Sequence, residues 1–91
     1  MTGQEIASLR EQLKLSQAQL AKLLGIHVMT VSKWERGVLE PSAYHADLMK
    51  KFDEAQQKDP DIGTFIAGVL VGASAAAALF FILQAAFDGR K

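Results

Sequence analysis

From Ile6 to Phe52 the apolar residues recur at helical spacing, and beyond Asp61 the pattern changes character. Ile6, Leu9 and Leu13 stand three and four residues apart, and Thr2 with Glu5 has the form of a capping box, which predicts a first helix from Thr2 to Leu13. A second box, Ser16 with Gln19, opens a short helix in which Leu20, Ala21, Leu23 and Leu24 face a core. Gly25 stops it, because the chain must turn there through a backbone conformation that a Cβ atom disfavours. A third short helix is predicted from about His27 to Arg36, with Val31 and Trp34 on its inner side and Gly37 at its end. Pro41 and Ser42 start a fourth, in which Tyr44, Leu48 and Phe52 repeat every four residues. This pattern fades near Gln56. Asp59 before Pro60 predicts a break and a fresh helix start, with Asp59 capping and Pro60 at the first helical position. No strand signal is present, so the expected fold is all-α.

Residues 62–87 are a different material: 20 of the 26 are hydrophobic and none is charged, while the rest of the chain carries every charge. As one helix this run is about 39 Å long, against a hydrocarbon core of about 30 Å. Two readings follow. It is a transmembrane-type helix, or it is a helix buried inside a soluble oligomer. Thr64, Gly68, Gly72 and Ala76 stand four apart on one face, a stripe that would let two helix backbones approach closely and make a homo-oligomer through residues 62–87. The division expected is a domain at 1–57, a hinge at 58–61, the apolar helix at 62–87 and a short polar tail at 88–91. On the first reading the protein sits in the cytoplasmic membrane with lipid as a partner and its N-terminal domain in the cytoplasm; on the second it is cytoplasmic. Lys50, Lys51 and Lys58 before the run and Arg90 and Lys91 after it bias the orientation only weakly.

Composition narrows the chemistry. The absence of cysteine excludes disulfides, thiol catalysis and Cys-ligated zinc, and the two histidines, His27 and His45, are 18 residues apart without a metal-ligand spacing. No metal, no cofactor and no catalytic residue is expected. No nucleophile paired with a base, carboxylate dyad or phosphate loop is visible, so an enzyme is disfavoured. The first 20 residues are polar, without the apolar core of a secretory signal. Trp34 is read as core, His27 as a helix-start residue and His45 as a surface residue. Lys50, Lys51 and Lys58 suit phosphates, anionic lipid or a solvated helix face equally.

The segment SQAQLAKLLGIHVMTVSKWERG has two short helices around a glycine-centred turn, with Ala21 where they cross and Gly25 four positions later. Residues 5–53 resemble the Cro and phage-repressor-like (XRE-type) helix-turn-helix regulators, in the pieces LSQAQLA, TVSKWERG and EPS; the apolar run lies outside the family's pattern. The resemblance implies a four-helix lambda-repressor-like domain that binds double-stranded DNA. It implies that the helix after Ser16 points at a phosphate, with Gln17 as a backbone clamp that positions without reading sequence. It implies that the helix near His27 is the recognition helix, its base-facing positions falling on Val28, Met29, Thr30 and Lys33, with His27 at its start among the DNA-binding residues. Lys33 suits guanine O6 or N7, whereas Val28 and Met29 suit only thymine methyls. Their exposed apolar side chains also suit a protein-binding patch. Arg10 and Glu35 are paired in the family as a structural contact. His27 stands where Ser or Thr is usual and is expected to cap poorly.

Residues 1–58 carry eight basic and seven acidic side chains, so a lone copy is expected to hold DNA weakly and an assembly to gain by avidity. The expected function is a membrane-anchored, self-associating DNA-binding protein that regulates transcription. Two alternatives stand beside it. One is a small assembly protein whose helix-turn-helix fold touches other copies and whose apolar helices form an oligomeric core. The other is a soluble oligomeric regulator.

Overall fold

The structure, a computed structural model, describes residues 1–72 together with 80, 83 and 84. Five helices follow one another: α1 (Gly3–Gln12), α2 (Gln17–Leu24), α3 (Val28–Glu35), α4 (Ala43–Lys58) and α5 (Ile62–Gly72). No strand occurs among the described residues.

Both capping boxes form. The Glu5 N–H donates to Thr2 Oγ1 at 3.1 Å while the Thr2 N–H donates to Glu5 Oε1 at 2.8 Å. That second bond holds the Glu5 carboxyl below its ordinary pKa. The Gln19 N–H and Ser16 Oγ, 3.0 Å apart, and the Ser16 N–H and Gln19 Oε1, 2.8 Å apart, repeat the arrangement on α2. Gly25 closes α2 in the left-handed region at φ 72°, and the Ile26 N–H then reaches back to the Ala21 carbonyl at 3.0 Å. Between α1 and α2 the chain turns on Lys14, which has φ 58° despite its Cβ. The turn buries Leu13 and Leu15 on either side while the lysine side chain stays outside.

A single core takes side chains from all five helices, from Ile6 and Leu9 of α1 to Ile66 and Leu70 of α5. On α4 the buried stripe is Met49, Phe52 and Ala55, with Leu48 half-buried against the same core, so that of the expected Tyr44, Leu48 and Phe52 only Tyr44 faces away. Tyr44 is 64% exposed, on the first turn, where its ring stands edge-on to His45 with centroids 5.2 Å apart. The expected helix start at Asp59 and Pro60 arrives two residues later. Asp59 Oδ1 accepts the Asp61 N–H at 3.2 Å, and the Asp59 carbonyl accepts the Ile62 N–H at 3.0 Å, so Asp59 shapes the turn and α5 begins at Ile62.

The largest departure from the sequence reading is α5. Ile62, Ile66 and Leu70, spaced by four, are at most 4% exposed and lie in the same core as α2 and α4. Gly63 is buried with its backbone against the Leu13 carbonyl, an approach that only glycine permits. Lys22 Nζ of α2 donates to the Leu70 carbonyl at 2.9 Å, satisfying a C-terminal carbonyl of α5. No helix among the described residues is long and apolar enough to cross a membrane. This overturns the cytoplasmic-membrane location and leaves the transmembrane-type helix and the lipid partner without support; residues 73–79, 81, 82 and 85–87 of the apolar run lie outside the described residues. The 11 residues of α5 span about 16 Å. Their hydrophobicity is explained by packing against protein: the start of the apolar run serves as the fifth wall of the domain. Of the small-residue stripe, Thr64 and Gly68 are on the exposed side of α5, Gly72 is its last residue, and Ala76 lies outside the described residues, as does the 88–91 tail.

Candidate nucleic-acid interface

The helix α3 is two-sided in the way a groove-entering helix must be. Val31 and Trp34 face inward at 0% and 2% exposure, while Val28 and Met29, at the leading end, are 38% and 53% exposed. Lys33 is exposed one turn further on, and Thr30 is half-buried between these faces. Three of the four base-facing positions implied by the resemblance, Val28, Met29 and Lys33, are therefore open to a ligand, Thr30 is partly so, and His27 at the start of the helix is exposed beside them.

His27 caps α3 after all. Its backbone is extended and its Nδ1 accepts the Met29 N–H at 3.1 Å, so an imidazole lone pair does what a Ser or Thr oxygen does elsewhere. Sequence reasoning undervalued it because cap preferences describe oxygen acceptors. The loop after α3 is anchored in turn: the Val38 and Leu39 N–H groups both donate to the Lys33 carbonyl, at 2.9 and 3.3 Å.

The start of α2 is fixed to the end of α3 by a three-residue network. Arg10 Nε and Nη2 donate to Glu35 Oε2 and Oε1 at 2.7 and 3.1 Å, a two-pronged guanidinium–carboxylate pair. Gln17 Nε2 donates to the same Oε1 at 3.0 Å, and Arg10 Nη1 donates to the Leu15 carbonyl at 3.0 Å. Burial pushes the Glu35 carboxyl up, but hydrogen bonds from Arg10 and Gln17 and the charge of Arg10 outweigh it and hold its pKa below the ordinary range. The hydrogen bond to Glu35 raises Arg10. Glu35 thus accepts from both Arg10 and Gln17, and the second of these links has no counterpart in the sequence pattern. With one amide donor spent on Glu35, Gln17 keeps a second N–H and its backbone N–H at the exposed first turn of α2.

His45, expected at the surface, is half-buried, its ring 5.5 Å from that of Trp34 and its Nδ1 3.0 Å from Ser42 Oγ. Among the described residues no three His, Asp or Glu side chains converge as metal ligands. The candidate interface is thus the pair of helices α2 and α3, with an apolar and basic outer edge.

The helix-turn-helix family pattern matches residues 6–49. That span runs from the first core residue of α1 through the first half of α4, and it is the pattern of a binding domain rather than of an enzyme. The chain is also similar to the repressor protein C2 of Salmonella phage P22, with 34% identity over 61 residues that make up 67% of this chain. The chain spans 27% of the length of that relative. No solved structure matches. The family match ends at Met49, so it lends the apolar segment 62–87 no support as a membrane or oligomerisation element.

Proposed function

We propose that the protein is a DNA-binding regulator of the repressor type, acting by occupancy of a duplex site and without chemistry of its own. The observation that carries this reading is the two-sidedness of α3: Val31 and Trp34 are sealed in the core while Val28 and Met29 project from the leading end. Exposed hydrophobic side chains at that place suit the thymine methyls of a major groove, and Lys33 suits a guanine edge one turn along. Gln17 and the free N–H groups of the first turn of α2 face a backbone phosphate and set the register without reading bases. The Gln17–Glu35 hydrogen bond ties α2 to α3 in that relation, and Arg10 braces Glu35 from α1.

A duplex selected from a random pool by the full chain tests the reading. Retention is expected to fall as salt rises, because cations released from phosphates drive the binding. Lys33→Ala is expected to weaken the selected duplex by about fivefold, with relaxed preference at one guanine. If no sequence is enriched at any salt concentration, the DNA-binding reading is wrong.

With eight basic against seven acidic side chains in residues 1–58, one copy attracts the polyanion little. We therefore propose in addition that copies associate, with the outward side of α5 at Thr64 and Gly68 as the meeting surface. A Cβ added at Gly68 meets nothing within 4 Å, so Gly68→Ile is expected to leave the monomer fold intact. The variant is expected to lose crosslinked oligomers and to bind DNA more weakly while melting at the wild-type temperature or above. Unchanged crosslinking removes this surface from the account.

A further inference from the structure

We infer that His27 reads a purine in the major groove through its Nε2–H, at a position that accepts either purine and rejects both pyrimidines. The inference rests on the DNA-binding reading above and adds the chemistry of one contact. The Met29 N–H lies 3.1 Å from His27 Nδ1. An N–H needs an acceptor, so Nδ1 carries the lone pair, and the proton of the neutral ring is on Nε2. The cap thereby fixes the tautomer. A serine or aspartate in this role ends at the helix it caps, whereas the imidazole extends across its ring to a donor on the far edge, and the His27 side chain is exposed.

The neighbouring positions make that donor distinctive. Val28 and Met29 have no polar hydrogen, Thr30 is half-buried, and Lys33 stands a turn further along α3. In an α3 that enters a groove by its leading end, His27 Nε2–H is the first side-chain donor to arrive. Guanine and adenine both present N7 as an acceptor at the outer edge of the major groove, where a pyrimidine carries its C5–H or methyl group, and the thymine acceptor, O4, lies nearer the centre of the pair. A single N–H cannot separate the two purines, as a bidentate amide or guanidinium can. The readout is purine against pyrimidine, with the apolar side chains of Val28 and Met29 set beside it.

The test uses the full chain, its selected duplex and His27→Ser. Serine supplies a good cap oxygen, so the variant is expected to melt at the wild-type temperature or higher, yet its hydroxyl stops short of the base. The selected site is expected to contain a position filled by G or A alike. Replacing that purine with its 7-deaza analogue is expected to weaken the wild type by about 5- to 10-fold. His27→Ser is expected to bind the unmodified duplex more weakly by a similar factor and to be indifferent to the 7-deaza change. Wild-type affinity in His27→Ser would reduce the histidine to a cap and overturn the inference. A uniform loss on every duplex with a shallower salt slope would move the contact to a phosphate and overturn it too. Failure of the wild type to enrich any duplex sinks the DNA-binding reading itself, a result distinct from an enriched duplex that ignores His27.

Discussion

Gly63→Ala is expected to destabilise the folded chain by about 3 kcal/mol, although it adds one methyl group to a helix that alanine otherwise favours. The new Cβ would overlap the carbonyl of Leu13 and stand 2.7 Å from Leu13 Cα, closer than real Cβ contacts come. Both obstacles are backbone, so no rotamer change relieves them. Either the turn at Leu13 and Lys14 moves, disturbing Leu13 and Leu15, or α5 lifts and exposes Ile62, Ile66 and Leu70. Each of these side chains is worth roughly 1.5 to 3 kcal/mol when fully buried, so partial undocking outweighs the gain of about 1 kcal/mol in helix propensity. For a domain of this size the loss corresponds to a fall of more than about 10 °C in Tm. Gly68→Ala is the control: its Cβ meets open space, and it is expected to stabilise by about 0.5 to 1 kcal/mol. Urea unfolding followed by Trp34 fluorescence measures both. Equal midpoints for the two variants would mean that α5 does not dock on the α1–α2 turn.

That docking is also the part of the fold the sequence concealed. Local signals for α1, α2 and α3 were legible because they are short-range: a hydroxyl three residues before a Glu or Gln, a glycine at the end of a run, apolar residues at three and four. Whether an uncharged helix faces lipid, another copy or its own domain is a question about distant partners, and composition answers it the same way in all three cases. The distinguishing facts are the closeness of Gly63 to Leu13, 50 positions away, and the reach of Lys22 to the Leu70 carbonyl, 48 positions away. Neither leaves a mark in a local window. A similar limit misplaced Tyr44 on α4. Phe52 and, in part, Leu48 reach the core beside Met49 and Ala55, but Tyr44 does not, because a helix's first turn extends beyond what it packs on. At the interface, the identity of the exposed residues on α3 could be read from spacing. The role of His27 could not, because its capping depends on which ring nitrogen meets the Met29 N–H.

The second large effect concerns the Arg10–Glu35–Gln17 network. Glu35→Ala is expected to cost about 2 to 3 kcal/mol, the range for removing one partner of a well-formed but not fully enclosed ion pair. The two side chains are 17% and 9% exposed, so water reaches the abandoned guanidinium only in part. Arg10 would keep the Leu15 carbonyl and lose its counter-charge, and Gln17 would lose its acceptor. The double variant Arg10→Met with Glu35→Leu removes both charges together and is expected to recover much of the loss, because the penalty lies in the unpaired charge rather than in the missing attraction. Acid supplies an independent check on the same group. The folded-state pKa of Glu35 is lowered, so its contribution is fully present above the ordinary carboxylate range and is lost as pH falls through the lowered value. Arg10 is raised from an already high value, so its contribution is constant across acid and neutral pH. The wild type should therefore lose stability below the ordinary carboxylate range more steeply than Glu35→Gln, which cannot titrate there. Parallel stability profiles for the two proteins from neutral pH into acid, or an unfolding free energy for Glu35→Ala within about 0.5 kcal/mol of wild type, would show that this pair does not clamp α1 to α3.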